Sequence, residues 1–190
     1  MRIVAGRFKG KKLQTPTGRT TRPTSDRARE GLFNILAHGA HAHRLRGGRC
    51  ADLFAGSGAV GLEAVSRGAA HCAFYETDRQ ALKSLTANIN ACDADEVCTV
   101  YRDSVLTLRP VRQPFDLVFL DPPYAETAVD QAVGAVLKAG LLARDGLLIA
   151  QSDPAFDVTV PAGLDIIDDR RYGAARFVLM AYSDPAGNEA

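Results

Sequence analysis

The sequence predicts an α/β protein built on a doubly wound, mostly parallel β-sheet. From residue 50 onward, short apolar segments typical of buried strands alternate with segments of helical periodicity. A G-x-G-x-x-G pattern lies between the first of these strands and the helix that follows it. Two further strands close the chain as a hairpin, which would add an antiparallel edge to the sheet. The length of 190 residues favours one domain with a substantial core.

The chain begins with a basic segment that precedes this alternation. We expect residues 1–21 to form a small β-hairpin extension, from RIVAG and KKLQT, and residues 22–190 to form the α/β core. The segment RPTSDRAREGLFNILAH predicts the first helix, because Thr24 or Ser25 can cap it and Asp26 lies in its first turn. The apolar stripe of this helix comprises Ala28, Leu32, Phe33, Ile35 and Leu36.

The remaining elements follow in regular order. The predicted strands are CADLF, HCAFYE, EVCTVYR, FDLVFLD and GLLIAQ, and the predicted helices are AVGLEAVSRG, DRQALKSLTANINA and TAVDQAVGAVLKAG. The segment GLDIIDDRRYGAARFVLMAY predicts the closing hairpin, with its turn near Gly173. Because ligands of such sheets bind at the carboxyl ends of the strands, the last residue of each strand is a candidate site residue.

The net charge of +1 conceals an uneven distribution of charge. Residues 1–49 contain twelve Lys and Arg against two acids, a balance of +10, whereas residues 50–190 contain eleven against twenty, a balance of −9. A basic segment on an acidic body favours a polyanionic partner such as nucleic acid, and a solvated basic face is the alternative that charge alone leaves open. The candidate residues for binding such a polyanion are Arg2, Arg7, Lys9, Lys11, Lys12, Arg22 and Arg27.

Composition excludes several other classes of protein. No apolar run approaches the roughly 20 residues of a membrane span, and the N-terminus lacks the apolar part of a secretory signal. The four cysteines lie mostly in apolar segments and form no C-x-x-C pair, which favours buried free thiols over a metal site or disulfides. We therefore expect a cytoplasmic monomer with no membrane partner and no metal.

The glycine pattern in DLFAGSGAVGLEA indicates a site for an adenosine-containing cofactor. Gly56 and Gly58 let the backbone turn tightly and approach a ligand, and Gly61 completes the pattern. The helix amides that follow favour an anionic group. Glu76 ends the next strand, 20 residues after Gly56, where an acid can hold ribose hydroxyls.

Acids at the strand ends bear on which cofactor binds, because an NAD enzyme would carry the same glycines. Asp52 lies four residues before Gly56. Its carboxylate would repel the pyrophosphate of NAD or FAD, but it suits the sulfonium and ammonium groups of S-adenosylmethionine. Asp103 follows the third strand and can accept a hydrogen bond from an adenine amino group, although it could equally cap a helix. Acids at three consecutive strand ends favour S-adenosylmethionine.

The stretch FLDPPYAET ends the next strand with an acid, two prolines and an aromatic residue. Proline has no N–H, so this turn cannot continue a sheet ladder and its carbonyls remain available as acceptors. The Asp121 carboxylate and the Pro122 carbonyl could each accept one N–H of an exocyclic nucleobase amine and stabilise the positive charge that grows on its nitrogen. Tyr124 could stack on an unpaired base. The alternative is a structural Pro-Pro turn with a surface tyrosine.

These motifs resemble the class I S-adenosylmethionine-dependent amino-methyltransferases, in which DPPY is the target-amine motif. RIVAGRFKGKKLQTP followed by RPTSDRAREGLFNIL is similar to the N-terminal signature of the bacterial 16S ribosomal RNA guanine-N2 methyltransferases, the RsmD family. DLFAGSGAVGLEAVSRGA and FLDPPY match that family in order and spacing, so the resemblance covers essentially the whole chain. It implies a seven-stranded Rossmann-like methyltransferase fold with S-adenosylmethionine as methyl donor. The implied acceptor is the N2 amine of one guanine of 16S rRNA, in an assembled or assembling small ribosomal subunit.

The resemblance also implies a role for each matching residue. The implied cofactor-binding residues are Asp52, Gly56, Ser57 and Gly58 in the glycine loop, Glu76 at the ribose, and Asp103 and Ser104 near the adenine. The implied catalytic residues, which hold the guanine, are Asp121, Pro122, Pro123 and Tyr124. Gln151 and Ser152 depart from the family pattern, in which we expect an acid at that strand end.

Three other functions account for part of the sequence. A DNA adenine-N6 methyltransferase would share the DPPY chemistry, but such enzymes usually carry a target-recognition insertion, and no connection here is long enough for a sizeable one. An NAD-dependent oxidoreductase explains the glycines but neither Asp52 nor DPPY. A non-catalytic RNA-binding module explains the basic segment but not the acids at three strand ends.

Overall fold

A computed structural model describes residues 1–16, 25–122, 128–155 and 158–183 of the chain. The strands are β1 Arg49–Leu53, β2 His71–Tyr75, β3 Cys98–Tyr101, β4 Phe115–Leu120, β5 Leu142–Ser152, β6 Leu164–Tyr172 and β7 Ala175–Tyr182. The helices are α1 Asp26–Ala37, α2 Ala42–Leu45, α3 Ala59–Ser66, α4 Arg79–Ala91 and α5 Ala128–Lys138, with 3-10 turns at Gly39–His41, Asp95–Val97 and Val105–Thr107. Every predicted strand and helix of the core is therefore present, whereas α2 and the 3-10 turns were not predicted.

The seven strands form one sheet in the order β3-β2-β1-β4-β5-β7-β6. Neighbouring strands from β3 to β5 run parallel, and β7 runs antiparallel to both β5 and β6. This topology confirms the predicted fold class and the closing hairpin, which turns at Gly173 with φ +62°. Because β2 lies on one side of β1 and β4 on the other, the sheet has its topological switch point between β1 and β4, where ligands of such folds bind.

Helices cover both faces of the sheet. One face packs against α1, α3 and α4 through buried residues that include Leu32, Phe33, Leu62, Leu85 and Ile89. The other face packs against α5 through buried residues that include Val129, Ala132, Val133 and Val136. Strand residues alternate between the two clusters, as period-two side-chain orientation requires.

Strand β5 begins four residues earlier than the pattern predicted. The register of β4 against β5 shifts between Phe115 and Leu117, so that Leu142 pairs with Phe115 and Leu147 pairs with Leu117. A Cβ atom at Gly146 would lie 2.7 Å from Leu142 Cδ1 and 2.8 Å from the Ala143 carbonyl oxygen. Gly146 therefore lies inside an irregularity of a longer strand, and it does not start a strand.

The first 16 residues form a minimal hairpin that packs on the α1 side of the sheet. Its antiparallel pairing is limited to one bridge, between Arg2 and Lys12. Ile3, Phe8 and Leu13 are buried in the same core cluster as α1, α3 and α4. The predicted hairpin is thus present, but packing against the core holds it more than strand pairing does. We call residues 1–21 the arm, of which the structure describes residues 1–16.

Helix α1 begins as the sequence predicted. Ser25 is its N-cap, and Ser25 Oγ accepts a hydrogen bond from the Ala28 backbone N–H at 3.1 Å. The other predicted cap, Thr24, lies outside the described residues. Of the described helices, none is long and apolar enough to cross a membrane.

Candidate active site

The carboxyl ends of β1 and β4 lie side by side at the switch point. The Asp121 backbone N–H donates to the Leu53 carbonyl oxygen at 3.4 Å, so the pairing of β1 with β4 continues one residue past the end of β4. Asp121 is partly buried and Pro122 is buried. The structure therefore places the start of DPPY directly beside the end of β1, where the glycine loop begins. Pro123 and Tyr124 lie outside the described residues.

The glycine loop between β1 and α3 is a tight turn of left-handed residues. Gly56 has φ +56° and Gly58 has φ +78°, and Phe54 adopts φ +63° although it carries a side chain. The Gly58 N–H donates to the Ala55 carbonyl oxygen at 2.7 Å, and Gly58 is the N-cap residue of α3. A non-glycine residue held at positive φ is strained, and such strain is often found at ligand sites.

The three glycines differ in what surrounds them. The nearest atom to a Cβ built at Gly56 is the Phe54 carbonyl oxygen at 4.0 Å, so this position has open space. A Cβ at Gly58 would lie 2.4 Å from Leu85 Cδ1. A Cβ at Gly61 would lie 2.4 Å from Phe74 Cε1, which is the close helix–strand contact expected of the third glycine. Gly56 is therefore the position at which a ligand can approach the backbone, whereas Gly58 makes room for α4.

Asp52 is a buried acid of the site with a raised pKa. Its side chain is buried, and its Oδ2 atom accepts a hydrogen bond from the Gly61 N–H of α3 at 2.8 Å. The pKa of Asp52 is raised to about 8, chiefly by burial and also by the negative charges of Asp121 and Glu76, against the lowering effect of the Gly61 N–H. Asp52, Glu76 and Asp121 thus form one electrostatic group of carboxyls. A bound cation would offset their mutual repulsion.

Glu76 follows β2 and ties the glycine loop to that strand. Its Oε2 atom accepts from the Gly56 N–H at 2.8 Å, and its Oε1 atom accepts from the N–H groups of Thr77 and Asp78 at 2.7 and 2.8 Å. The sequence indicated only a ribose acceptor at this position. A carboxylate has about four lone-pair sites, so these three bonds leave capacity for a further donor.

Two tyrosines that the sequence did not single out lie at the ends of β2 and β3. The rings of Tyr75 and Tyr101 are stacked, with centroids 4.8 Å apart. The pKa of Tyr75 is raised to about 12, chiefly by burial and in smaller part by the nearby Tyr101 and Asp103. Asp103 is exposed, and Ser104 caps the 3-10 turn at Val105–Thr107 by accepting from the Leu106 N–H at 3.3 Å. An aromatic last residue on two adjacent strands was the signal available for these tyrosines.

The predicted RNA-binding residues differ in their surroundings. Arg2, Arg7, Lys9, Lys12 and Arg27 are exposed. Lys11 is half-buried, and its Nζ donates to the Ala91 carbonyl oxygen at the end of α4 and lies 3.6 Å from Asp93 Oδ2. Lys11 therefore helps to fix the arm to the core. Arg22 lies outside the described residues.

Three buried polar residues that the sequence reading missed hold the arm in place. Glu63 of α3 accepts from the backbone N–H groups of Val4 and Ala5 at 2.7 and 3.0 Å, and it pairs with Arg67 at 2.7 Å. Arg29 of α1 lies 3.6 Å from Glu63 and donates to the carbonyl oxygen of Arg2. Asn88 of α4 bonds to the backbone of Gln14. A lone acid inside the apolar helix sequence AVGLEAV was the signal for Glu63.

The structure shows no further chemical centre in the part of the chain it describes. No group of three or more His, Cys, Asp or Glu in the described ranges could hold a metal ion. All four cysteines are free thiols, of which Cys50, Cys72 and Cys92 are buried and Cys98 is partly buried.

Comparison with known proteins identifies the family. A family model described as "Conserved hypothetical protein 95" matches residues 1–181. The chain is 34% identical over 175 residues to a Bacillus subtilis protein named as a putative rRNA methyltransferase, YlbH, with 90% of this chain and 92% of that protein covered. It is 33% identical over 180 residues to ribosomal RNA small subunit methyltransferase D of Escherichia coli K12, with 94% and 88% covered.

A solved structure supports the same assignment. A chain from Escherichia coli described as a putative methyltransferase superposes with a TM-score of 0.82 at 31% identity, covering 96% of this chain and 97% of that one. The family and the fold imply a cofactor of the S-adenosylmethionine type. On the family match and these identities over most of its length, the chain belongs to the Conserved hypothetical protein 95 family, also called the RsmD family, and it is a methyltransferase.

Proposed function

We propose that the protein transfers a methyl group from S-adenosylmethionine to the exocyclic N2 amine of one guanine in the 16S rRNA of the small ribosomal subunit. The observation that carries this proposal is the position of Asp121, whose backbone N–H is bonded to Leu53 at the switch point beside the glycine loop. The acceptor group at the start of DPPY thereby adjoins the cofactor site. The names of the relatives from Bacillus subtilis and Escherichia coli support rRNA as the substrate.

The residues at the ends of β1 and β2 suit S-adenosylmethionine. This cofactor carries the methyl group on a sulfonium, which makes that carbon electrophilic. Asp52 near the end of β1 and Glu76 after the neighbouring strand β2 supply carboxylates, which suit the cationic groups and the ribose hydroxyls. The open space at Gly56 lets the ligand reach the backbone. Asp103 and Ser104, after β3, complete the proposed site at the adenine.

The residues of DPPY act on the acceptor amine in this proposal. The lone pair of an exocyclic guanine amine is delocalised into the ring, so the amine is a poor nucleophile. Asp121 and the Pro122 carbonyl each accept one N–H, which favours a tetrahedral nitrogen and stabilises its growing positive charge. Tyr124 stacks on the splayed base, with Pro123 keeping the turn rigid. Asp121 need not be a strong base, because the amine carries a positive charge once it is methylated and then loses a proton readily.

The exposed basic side chains of the arm and of α1 hold the RNA backbone in this proposal. The residues that can contact phosphates are Arg2, Arg7, Lys9, Lys12 and Arg27. The residues of DPPY hold the one base that is recognised. Phosphate contacts position a protein on its substrate and carry little sequence information. In this proposal, the base is therefore recognised by the residues of DPPY and not by the arm.

Transfer of a labelled methyl group tests the proposal. The substrates are small subunits, free 16S rRNA and genomic DNA, each taken from cells that lack this enzyme. Label in N2-methylguanine of small-subunit RNA, released by nuclease digestion, is the expected result. Label only in DNA adenine would replace the proposed function with the adenine-N6 alternative, and label in none of the three would refute both. Asp121→Ala is the control, because it should remove the signal while the protein stays folded.

A further inference from the structure

Asn88 joins the arm to the glycine loop through a fully buried side chain. It is 1% exposed and lies on α4. Its Nδ2 atom donates to the Gln14 carbonyl oxygen of the arm at 2.9 Å and to the Ser57 carbonyl oxygen of the loop at 2.8 Å. Its Oδ1 atom accepts from the Gln14 N–H at 2.7 Å. One amide thus satisfies backbone groups of two segments that are 43 residues apart in the chain.

Both ends of the arm's hairpin reach the same loop residue. Met1 Sδ accepts a weak hydrogen bond from Ser57 Oγ at 3.8 Å, at one end. Gln14 reaches Ser57 through Asn88 at the other end. The Leu13 N–H donates to the Met1 carbonyl oxygen at 3.1 Å, which holds these two ends together. A shift of the arm would therefore change the contacts of Ser57 on two sides.

Ser57 lies at the point where the loop conformation is set. Its carbonyl shares a planar peptide unit with the Gly58 N–H, which donates to the Ala55 carbonyl oxygen at 2.7 Å. Holding the Ser57 carbonyl therefore fixes the direction of the N–H that closes the turn. That turn contains Gly56, where the backbone is open to a ligand. The position of the arm and the shape of the cofactor loop thus depend on one side chain.

We propose that Asn88 is a positioning residue that couples the arm to the glycine loop, so that cofactor bound at the loop steadies the arm, and RNA held by the arm tightens the cofactor. The RNA half of this coupling rests on the proposed function. The cofactor half does not require RNA. Because coupling between two binding sites is reciprocal, the same side chain must carry both effects.

The hydrogen bonds by which Ser66 holds the arm provide a matched control. Ser66 Oγ accepts from the Phe8 N–H at 2.9 Å and donates to the Ala5 carbonyl oxygen at 2.5 Å. These bonds fix the arm to the far end of α3 and make no contact with the glycine loop. Ser66→Ala therefore loosens the arm without removing the link to Ser57, whereas Asn88→Leu keeps the branched shape of the side chain and removes the link.

The first readout is amide hydrogen exchange of peptides from residues 1–16, with and without S-adenosylhomocysteine. In the wild type, the ligand should slow exchange at Gln14 and its neighbours by about fivefold or more. In Asn88→Leu this protection should fall below about twofold, although the ligand still binds. Ser66→Ala should exchange faster throughout but keep the ligand-dependent ratio. Asn88→Ser, whose short hydroxyl cannot span all three partners, replaces Asn88→Leu if the leucine variant does not fold.

The second readout is equilibrium dialysis of labelled S-adenosylhomocysteine with and without small subunits. We expect the subunits to tighten binding by about fivefold or more in the wild type and in Ser66→Ala, and by less than about twofold in Asn88→Leu. Binding of the ligand with no change in arm exchange would overturn this inference alone, as would an Asn88→Leu variant that behaves like the wild type. A wild type that binds no S-adenosylhomocysteine would overturn the proposed function as well.

Discussion

The buried carboxyl of Asp52 can couple the binding of a cationic cofactor to the release of a proton. It is buried near the end of β1, where it accepts from the Gly61 N–H in the first turn of α3, and Asp121 and Glu76 lie close enough to oppose its ionisation. In the protein alone, its pKa of about 8 keeps it protonated at neutral pH. A cationic ligand favours the ionised form. Binding of such a ligand must therefore release a proton over the pH range in which the free carboxyl is protonated.

This linkage predicts a pH dependence of cofactor affinity. Below pH 8 the Asp52 proton must leave when S-adenosylmethionine binds, so affinity should rise with pH by up to about tenfold per unit between pH 6 and 8. Above pH 8 the carboxyl is already ionised, and the slope should level off. Calorimetric titration at several pH values, in buffers of different ionisation enthalpy, measures both affinity and proton release. Asp52→Asn should bind more weakly and lose the slope, and an equal slope in the variant would assign the proton to another group.

Asp121 should affect turnover more than cofactor affinity. Its carboxylate is proposed to strengthen its contact with the amine as positive charge grows, so Asp121→Ala should lower kcat by about 10²- to 10³-fold. S-adenosylmethionine affinity at neutral pH should hold or improve, because removing this charge lowers the pKa of Asp52. Single-turnover methyl transfer and calorimetry separate the two effects. A loss confined to cofactor affinity would move Asp121 from the acceptor side to the cofactor side.

At the scale of elements, the glycine loop combines two demands on its backbone. Gly56 faces open space, which the proposed cofactor requires, and Gly58 must leave space for Leu85 of α4. The sequence pattern indicated that both Gly56 and Gly58 let the backbone approach a ligand. The structure instead places the missing side chain of Gly58 against α4, so a substitution there acts first on packing.

Substituting Gly56 and Gly58 individually by alanine separates the requirement for ligand space from the requirement for packing space. Gly58→Ala combines a positive φ with a contact of 2.4 Å to Leu85, so it should destabilise the fold by about 2–4 kcal/mol. Gly56→Ala meets no close atom and should cost about 1–2 kcal/mol from its φ alone, while weakening S-adenosylmethionine more. Urea unfolding and calorimetric titration give the two quantities. Equal destabilisation by both substitutions would contradict the distinction.

The buried Glu63 determines how the arm is held as an element. Glu63→Ala removes a buried carboxylate from the ion pairs of Arg29 and Arg67, although Arg29 keeps its pair with Asp26 at 2.9 Å. It also removes the acceptors of Val4 and Ala5, so it should destabilise the fold by about 3–5 kcal/mol. Glu30→Ala, at an exposed position of α1, should change stability by less than about 0.5 kcal/mol. Urea unfolding of both variants tests this. A small effect at Glu63 would mean that apolar packing of Ile3, Phe8 and Leu13 suffices to dock the arm.

At the scale of the whole molecule, the exposed positive charges of the arm lie apart from the acids at the strand ends. The exposed cations of the arm lie on an element that packs on α3 and α4, next to the glycine loop but outside the strand ends. The acids Asp52, Glu76 and Asp121 lie together at the strand ends. An RNA would therefore bind the arm through its phosphates, while a single base reaches the strand ends at the switch point.

This separation predicts a change in salt dependence without a change in stability. Lys9→Ala with Lys12→Ala should flatten the log–log salt dependence of RNA binding by about 0.7 for each lost contact, and leave the unfolding midpoint unchanged. Lys11→Ala should lower the midpoint as well, because Lys11 bonds to the end of α4. Binding to small subunits at several salt concentrations measures the slope. Superimposable slopes for the double variant and wild type would leave the arm without a role in phosphate binding.

Much of the candidate site could be proposed from the sequence because its residues stand at recognisable places in the chain. The strand-end positions of Asp52, Glu76 and Asp121 follow from the alternation of strands and helices, and the structure brings these three acids together. The buried polar residues Arg29, Glu63 and Asn88 were missed. Their partners are backbone groups at distant points of the chain, and residue type carries no information about such partners.

The sequence by itself determined the fold class, the order of strands and helices, and the motifs at the strand ends, because these depend on local periodicity and local turn chemistry. Only the tertiary structure decided which glycine faces open space, which lysine is anchored, and which side chain joins the arm to the loop. It also decided that Asp52 is buried deeply enough for its pKa to reach about 8. These properties depend on atoms that are distant in the chain and meet only after packing, so no local pattern could reveal them.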